Sequence, residues 1–180
     1  MKKLILFSCF FLITLNSCST NKVLQQYIKV DIELNKTKSF ATKLYDKKLL
    51  ASKTLDIYLG TKIHEMNTRA KSFKQDDYDY LVNRYTDASM VANWNMRESK
   101  QLGFMDLVET NLPSTTSPNN KDIYIYQLSD PLFTKDKKQV LFSIAISKTP
   151  GLFLDVYVVI MKKEKGKWVL VEKVYDGGVY

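Results

Sequence analysis

Two runs of alternating side chains, Val140 to Ser147 and Leu154 to Met161, set the first limit on the fold. In the first, Val140, Phe142, Ile144 and Ile146 alternate with Leu141, Ser143, Ala145 and Ser147. In the second, Leu154, Val156, Val158 and Ile160 alternate with Asp155, Tyr157, Val159 and Met161. Successive side chains of a strand point to opposite faces, so a period of two predicts strands. The stretch "KKEKGKWVLVEKV" follows, in which Gly166 supplies the positive φ of a short hairpin turn. Trp168, Leu170 and Val174 then continue one apolar face, and Ile123 to Leu128 predicts a further strand. The second face of these strands is partly apolar and demands a cover.

The first half of the chain supplies candidates for that cover. Phe40, Leu44, Ala51, Leu55 and Tyr58 recur at three- and four-residue steps between lysines, which predicts an amphipathic helix over Ser39 to Leu59, stopped by Gly60. A second helix has a sharper start. Ser72-Phe73-Lys74-Gln75 matches a capping box, and Asp76 and Asp77 fall in the first turn, where the helix dipole favours anions. Tyr78, Leu81, Val82 and Tyr85 form its apolar stripe. The run "TNLPSTTSPNNK" (110–121) reads as the connection between a helical and a strand-rich half. The expectation is an α+β domain over 39–180, with N-terminal helices packed on a C-terminal antiparallel sheet of about four strands. Trp168 is expected between the last strand and a helix.

The opening "MKKLILFSCFFLITLNSCST" is of another kind. Lys2 and Lys3 precede an apolar run from Leu4 to Ile13, about half the roughly 20 residues that cross a bilayer as a helix. A short apolar run with basic flanks reads as a secretory signal. Its end, Leu15-Asn16-Ser17-Cys18, resembles the lipobox of bacterial lipoproteins, with Asn16 the one departure. The resemblance implies a signal peptide over 1–17, acylation of Cys18 and a tether over 18–38. It also implies attachment to membrane lipid through that cysteine. The alternative is an ordinary signal peptide cut nearby, which leaves Cys18 a plain thiol. With no acidic retention residue after Cys18, the expected location is the outer membrane, facing the periplasm. Cys9 lies in the signal, so the mature chain is expected to hold no disulfide, and its stability must come from its core.

Removal of Lys2 and Lys3 leaves 25 basic residues against 19 acidic, a net charge of about +6. These lysines are interspersed with acids along the chain, without the basic stripe of a nucleic-acid binder, and a periplasmic destination removes nucleic acid as a partner. A solvated lysine-rich surface is the expected reading of this charge, with anionic lipid headgroups beside the anchor as the alternative.

A second resemblance lies in "YQLSDPLFTKDKKQVLFSIAIS" with "GKWVLVEKV". Ser129, Pro131, Phe133, Thr134, Asp136, Gly166, Lys167 and Trp168 are similar to the closing strands of small bacterial envelope proteins of unassigned function. This resemblance implies no activity. Local physics reads the same residues as turn and core: Ser129 and Asp130 start a turn, Pro131 fixes φ, and Asp136 caps the next turn.

Chemistry is sparse. His64 is the sole histidine, so a multi-histidine metal site is ruled out, and a catalytic histidine needs a nucleophile and an orienting acid in reach. "QDDYDY" (75–80) lacks the glycine and closing glutamate of a calcium loop, and helix capping explains its acids. Neither a metal nor another cofactor is expected. Aromatics remain: Tyr157, Tyr124 and Tyr126 are the candidate binding residues, should they line an uncovered sheet face. The reading is a lipid-anchored envelope module that binds a protein or glycan or serves a structural role without catalysis. The alternative is a small envelope hydrolase using carboxylates or a Ser–His pair around His64.

Overall fold

The computed structural model describes residues 21–31, 41–64, 74–85, 92–104, 106–109, 123–148 and 152–175. Along the chain they form helix α1 (21–31), strand β1 (Ala41–Tyr45), helices α2 (Ala51–His64), α3 (Gln75–Tyr85) and α4 (Met96–Leu102), and strands β2 (Asp106–Val108), β3 (Ile123–Leu128), β4 (Leu132–Phe133), β5 (Gln139–Lys148), β6 (Leu152–Glu164) and β7 (Lys167–Tyr175). The class is α+β. The sheet runs β2-β1-β3-β5-β6-β7, with β4 added beside β5.

The predicted strands are present as β3, β5, β6 and β7, joined antiparallel. The expectation of about four strands is too small, however, because β1 lies parallel to both β2 and β3 and makes the sheet mixed. Nor do all helices precede the strands. The predicted helix over 39–59 is split: Ala41–Tyr45 is a strand, and the helix starts only at Ala51. The cause lies in the backbone donors between them. Asp46 N–H bonds Val108 O (2.8 Å), Lys48 N–H bonds Ala92 O (3.0 Å) and Leu49 N–H bonds Leu128 O (2.9 Å), so the donors a continuous helix would use are committed elsewhere. At its other end α2 passes through Gly60 and closes at His64.

The largest correction concerns the expected tether. Residues 21–31 are a helix whose Val23, Leu24, Tyr27 and Ile28 are buried in the main core. A stripe at 23, 24, 27 and 28 is a helical spacing, and its burial against the sheet is what makes so short a helix stable. α1 and α4 cover one sheet face with Phe142, Ile144, Tyr157 and Val159 beneath them, while α2 and α3 cover the other over Leu141, Val158 and Ile160. That double cover explains why β5 and β6 are apolar on both faces.

α4 carries a complete set of end signals. Asn95 Oδ1 accepts from Glu98 N–H (2.9 Å), Glu98 Oε2 accepts from Asn95 N–H (3.0 Å), and Gly103 closes the helix at φ 96°. α3 begins with Asp76 and Asp77 in its first turn, as expected. The cap expected at Ser72, the connection 110–121 and the lipobox lie outside the described residues. Trp168 is half-buried: its ring tilts against Phe133 at 5.9 Å, and its carbonyl accepts from Gln26 Nε2 of α1 (2.7 Å). It packs at the margin of the core instead of inside it.

Two hairpin turns close the same end of the sheet. In the first, Thr134 Oγ1 accepts from Gln139 N–H (3.1 Å) and Asp136 Oδ1 accepts from Lys138 N–H (2.9 Å). The Lys138 amide and the Thr134 hydroxyl hold the Asp136 carboxyl below the usual carboxylate range. In the second, Lys165 (φ 47°) and Gly166 (φ 82°) form a two-residue turn with positive φ at both positions.

Candidate functional site

Asp31, at the end of the described part of α1, is 2% exposed and is the one buried Asp, Glu, Lys or Arg among the described residues. An isolated buried carboxylate is costly, so its partners define the site. Tyr27, one turn earlier on α1, donates its hydroxyl to Asp31 Oδ1 (3.3 Å). Tyr157 of β6 donates to the same oxygen (3.4 Å), and Tyr126 of β3 donates to Oδ2 (3.4 Å). Lys173 of β7 completes the set with Nζ 3.1 Å from Oδ1. Helix and sheet are thereby joined across three strands. The lysine also lies over two rings of the cluster, 5.4 Å from the centroid of Tyr27 and 4.9 Å from that of Tyr157, where ring quadrupoles favour a cation. Tyr175 stacks at a tilt on Tyr157 (5.4 Å) and reaches the surface.

Of the candidate binding residues, the structure brings Tyr126 and Tyr157 together around Asp31, yet at 1% and 2% exposure neither faces an open surface. Tyr124, two residues before Tyr126 on β3, is half-buried against the same core. The condition for a binding platform, an uncovered sheet face, is not met at Tyr126 and Tyr157, because α1 covers that face and packs both into the core. Lys173 and Asp31 went unrecognised in the sequence. The spacing of Tyr27 and Asp31, one helical turn apart at the end of an apolar stripe, is the signal that could have found Asp31, whereas nothing local marks Lys173, 142 residues away. His64 is the last residue of α2. Asp76, Asp77 and Asp79 lie on α3, and among the described residues no three metal-ligating side chains gather.

A second polar cluster sits at the β1 end of the fold. Lys48 Nζ bonds both carboxylate oxygens of Asp130 (2.9 and 3.2 Å) and lies 4.2 Å above the buried Trp94 ring. A third contact ties α2 to β5, where the fully buried hydroxyls of Thr54 and Ser143 share a bond of 2.7 Å.

The main cluster also sets a pH response. Burial, opposed by the bond to Lys173 and reinforced by the charge of Asp31, pushes the Tyr27 phenol up to about 12 from 10.0. Burial, followed by the neighbouring Tyr27 and Asp31, drives the Tyr157 phenol well above the ordinary tyrosine range. For Lys173, burial works against the charge, but Tyr27 and Asp31 outweigh it and hold the ammonium above its usual 10.5. All three groups have folded values raised above their unfolded ones. Their contribution is complete below about pH 10 and is lost as pH climbs through the folded values, each of the two buried tyrosines costing at most about 1.4 kcal/mol per pH unit in that window and the partly exposed Lys173 less. Denaturant titrations are expected to show the unfolding midpoint dropping steeply above pH 10. Part of the tyrosinate absorbance should appear only together with loss of the far-ultraviolet circular dichroism. Ionisation of every tyrosine near pH 10 in a still-folded protein would contradict the cluster.

Comparisons of the chain with protein-family models, with curated proteins and with solved structures gave no match.

Proposed function

We propose that the protein is a lipid-anchored module of the bacterial cell envelope that acts by binding or by holding position, without catalysis. The observation that carries this reading is the Asp31 cluster. A catalytic carboxylate needs a free oxygen facing substrate. Asp31 is instead engaged by three hydroxyls and an ammonium, and those bonds lock α1 to the sheet. The described part of α1 lies three residues after Cys18, the residue the lipobox resemblance assigns to acylation. A helix fastened at that position holds the whole domain close to its lipid, which suits a module confined with its envelope neighbours, since confinement raises effective concentration without new contacts. Outer-membrane attachment facing the periplasm, with a protein or glycan as partner, belongs to the same proposal.

Rescue of a knockout phenotype tests it. His64→Ala, and separately the triple change of Asp76, Asp77 and Asp79 to Asn, are expected to restore function fully. A folded, correctly localised His64→Ala protein that fails to rescue would favour a hydrolase instead.

A further inference from the structure

We propose that the sheet end formed by the turns at 134–139 and 162–167 is a second membrane contact, one that seats the anchored domain on anionic lipid headgroups. This rests on the lipid-anchored reading above. The two turns are separate in the chain and adjacent in space: Lys163 N–H donates to the Lys138 carbonyl (2.7 Å), and Gln139 pairs with Lys162. The first turn presents Lys135, Lys137 and Lys138, all exposed. The second presents Lys162, Lys163, Lys165 and Lys167, also exposed. Within these turns Asp136 and Glu164 are the opposing acids, and each lies beside a lysine of its own turn, at 3.8 and 3.6 Å. Residues 135–138 and 162–167 therefore set seven lysines against two acids, a net +5 on ten residues of a chain whose formal charge is +8. The sequence alone, averaged along its length, hides this concentration.

The turns themselves do not require these lysines. Lys137 and Lys165 hold φ of 56° and 47°, a left-handed conformation in which glycine, asparagine or aspartate is more at ease. Lysine stands at both positions against that local preference. What adjoins the turns selects a lipid surface over a soluble polyanion. Val169, Leu170 and Val171 follow the second turn on the edge strand β7 and are 43%, 43% and 47% exposed. Lysines next to exposed aliphatic side chains match the boundary between headgroups and acyl chains, whereas a soluble polyanion would be met by charge alone.

The anchor is within reach of this end. Gln26 of α1 bonds the carbonyl of Trp168, the neighbour of Lys167. Five helical residues separate Gln26 from Asn21, about 7.5 Å. Three more residues lead back to Cys18 and span at most about 10 Å. Acyl chains on Cys18 and the lysine turns can therefore meet one bilayer surface together.

The test uses the mature acylated chain purified from membranes and reconstituted in two kinds of vesicle, phosphatidylcholine alone or with phosphatidylglycerol. Lysines are acetylated briefly and read by mass spectrometry. Lys135, Lys137, Lys163, Lys165 and Lys167 are expected to label roughly five-fold more slowly on the anionic vesicles, about the factor that one lysine's attraction to such a surface represents. High salt should erase the difference, and Lys53 on α2 should label equally in both. Equal labelling of the turns in the two vesicles overturns the proposal. Protection by soluble polyphosphate without protection by anionic vesicles overturns it in favour of a polyanion. Failure to float with phosphatidylcholine vesicles sinks the anchor reading instead. The turns are then judged by whether the same protein floats with anionic vesicles and shows their protection.

Discussion

Asp31→Ala is expected to lower the unfolding free energy by about 3–5 kcal/mol, the usual cost of removing one partner from a buried ion pair. Three buried hydroxyls would lose their acceptor and the Lys173 ammonium its counter-charge. The lower end of the range is the better guide, because the Lys173 side chain is 27% exposed and water can answer part of its charge. Urea unfolding followed by circular dichroism measures the shift, and Lys173→Met in a double-mutant cycle isolates the pairwise share. A coupling near zero, or an Asp31→Ala protein that melts with the wild type, would show that α1 is held by its apolar stripe alone. A domain of this size has roughly 5–15 kcal/mol in total, so the change should also be visible as reduced yield.

Cys18→Ala is expected to take the protein out of the membrane fraction, or to leave it as an uncleaved precursor. Metabolic labelling with a fatty-acid analogue should mark the wild type only. The helix described over 21–31 sharpens this prediction. Asn21 Nδ2 donates to Gln101 Oε1 of α4 (3.1 Å), so packed structure is already present three residues after Cys18, the position expected to be acylated. Loss of the acyl chains should therefore leave the unfolding midpoint of the processed domain unchanged while abolishing attachment. Normal cleavage with full membrane retention in the mutant would end the lipoprotein reading.

Part of the candidate site was legible in sequence and part was not. Tyr126 and Tyr157 stood out as strand aromatics, but their use depends on a carboxylate 95 and 126 residues away along the chain. Nothing local to either tyrosine names that partner. α1 and α4 are a different case. The stripe Val23, Leu24, Tyr27 and Ile28, and the pair Asn95 and Glu98 followed by Gly103, are local signals of the ordinary kind. The first was obscured by the β-branched and aromatic residues it shares with strands, and the second by the shortness of the helix.

By itself the sequence determined the strands β3, β5, β6 and β7, the turn at Gly166 and the acidic start of α3. Each of these depends on residues within one strand length or one helical turn. Only the tertiary structure decided that Ala41–Tyr45 is a strand, that the sheet is mixed, that α1 docks where a tether was expected, and that two lysine-rich turns share one end. These features depend on which distant donors, acceptors and apolar faces remain available once the sheet has formed. Leu44 shows the difference. Its spacing suits a helix, but Asp46, Lys48 and Leu49 give their backbone donors to Val108, Ala92 and Leu128, and those bonds exist only after the rest of the chain is in place.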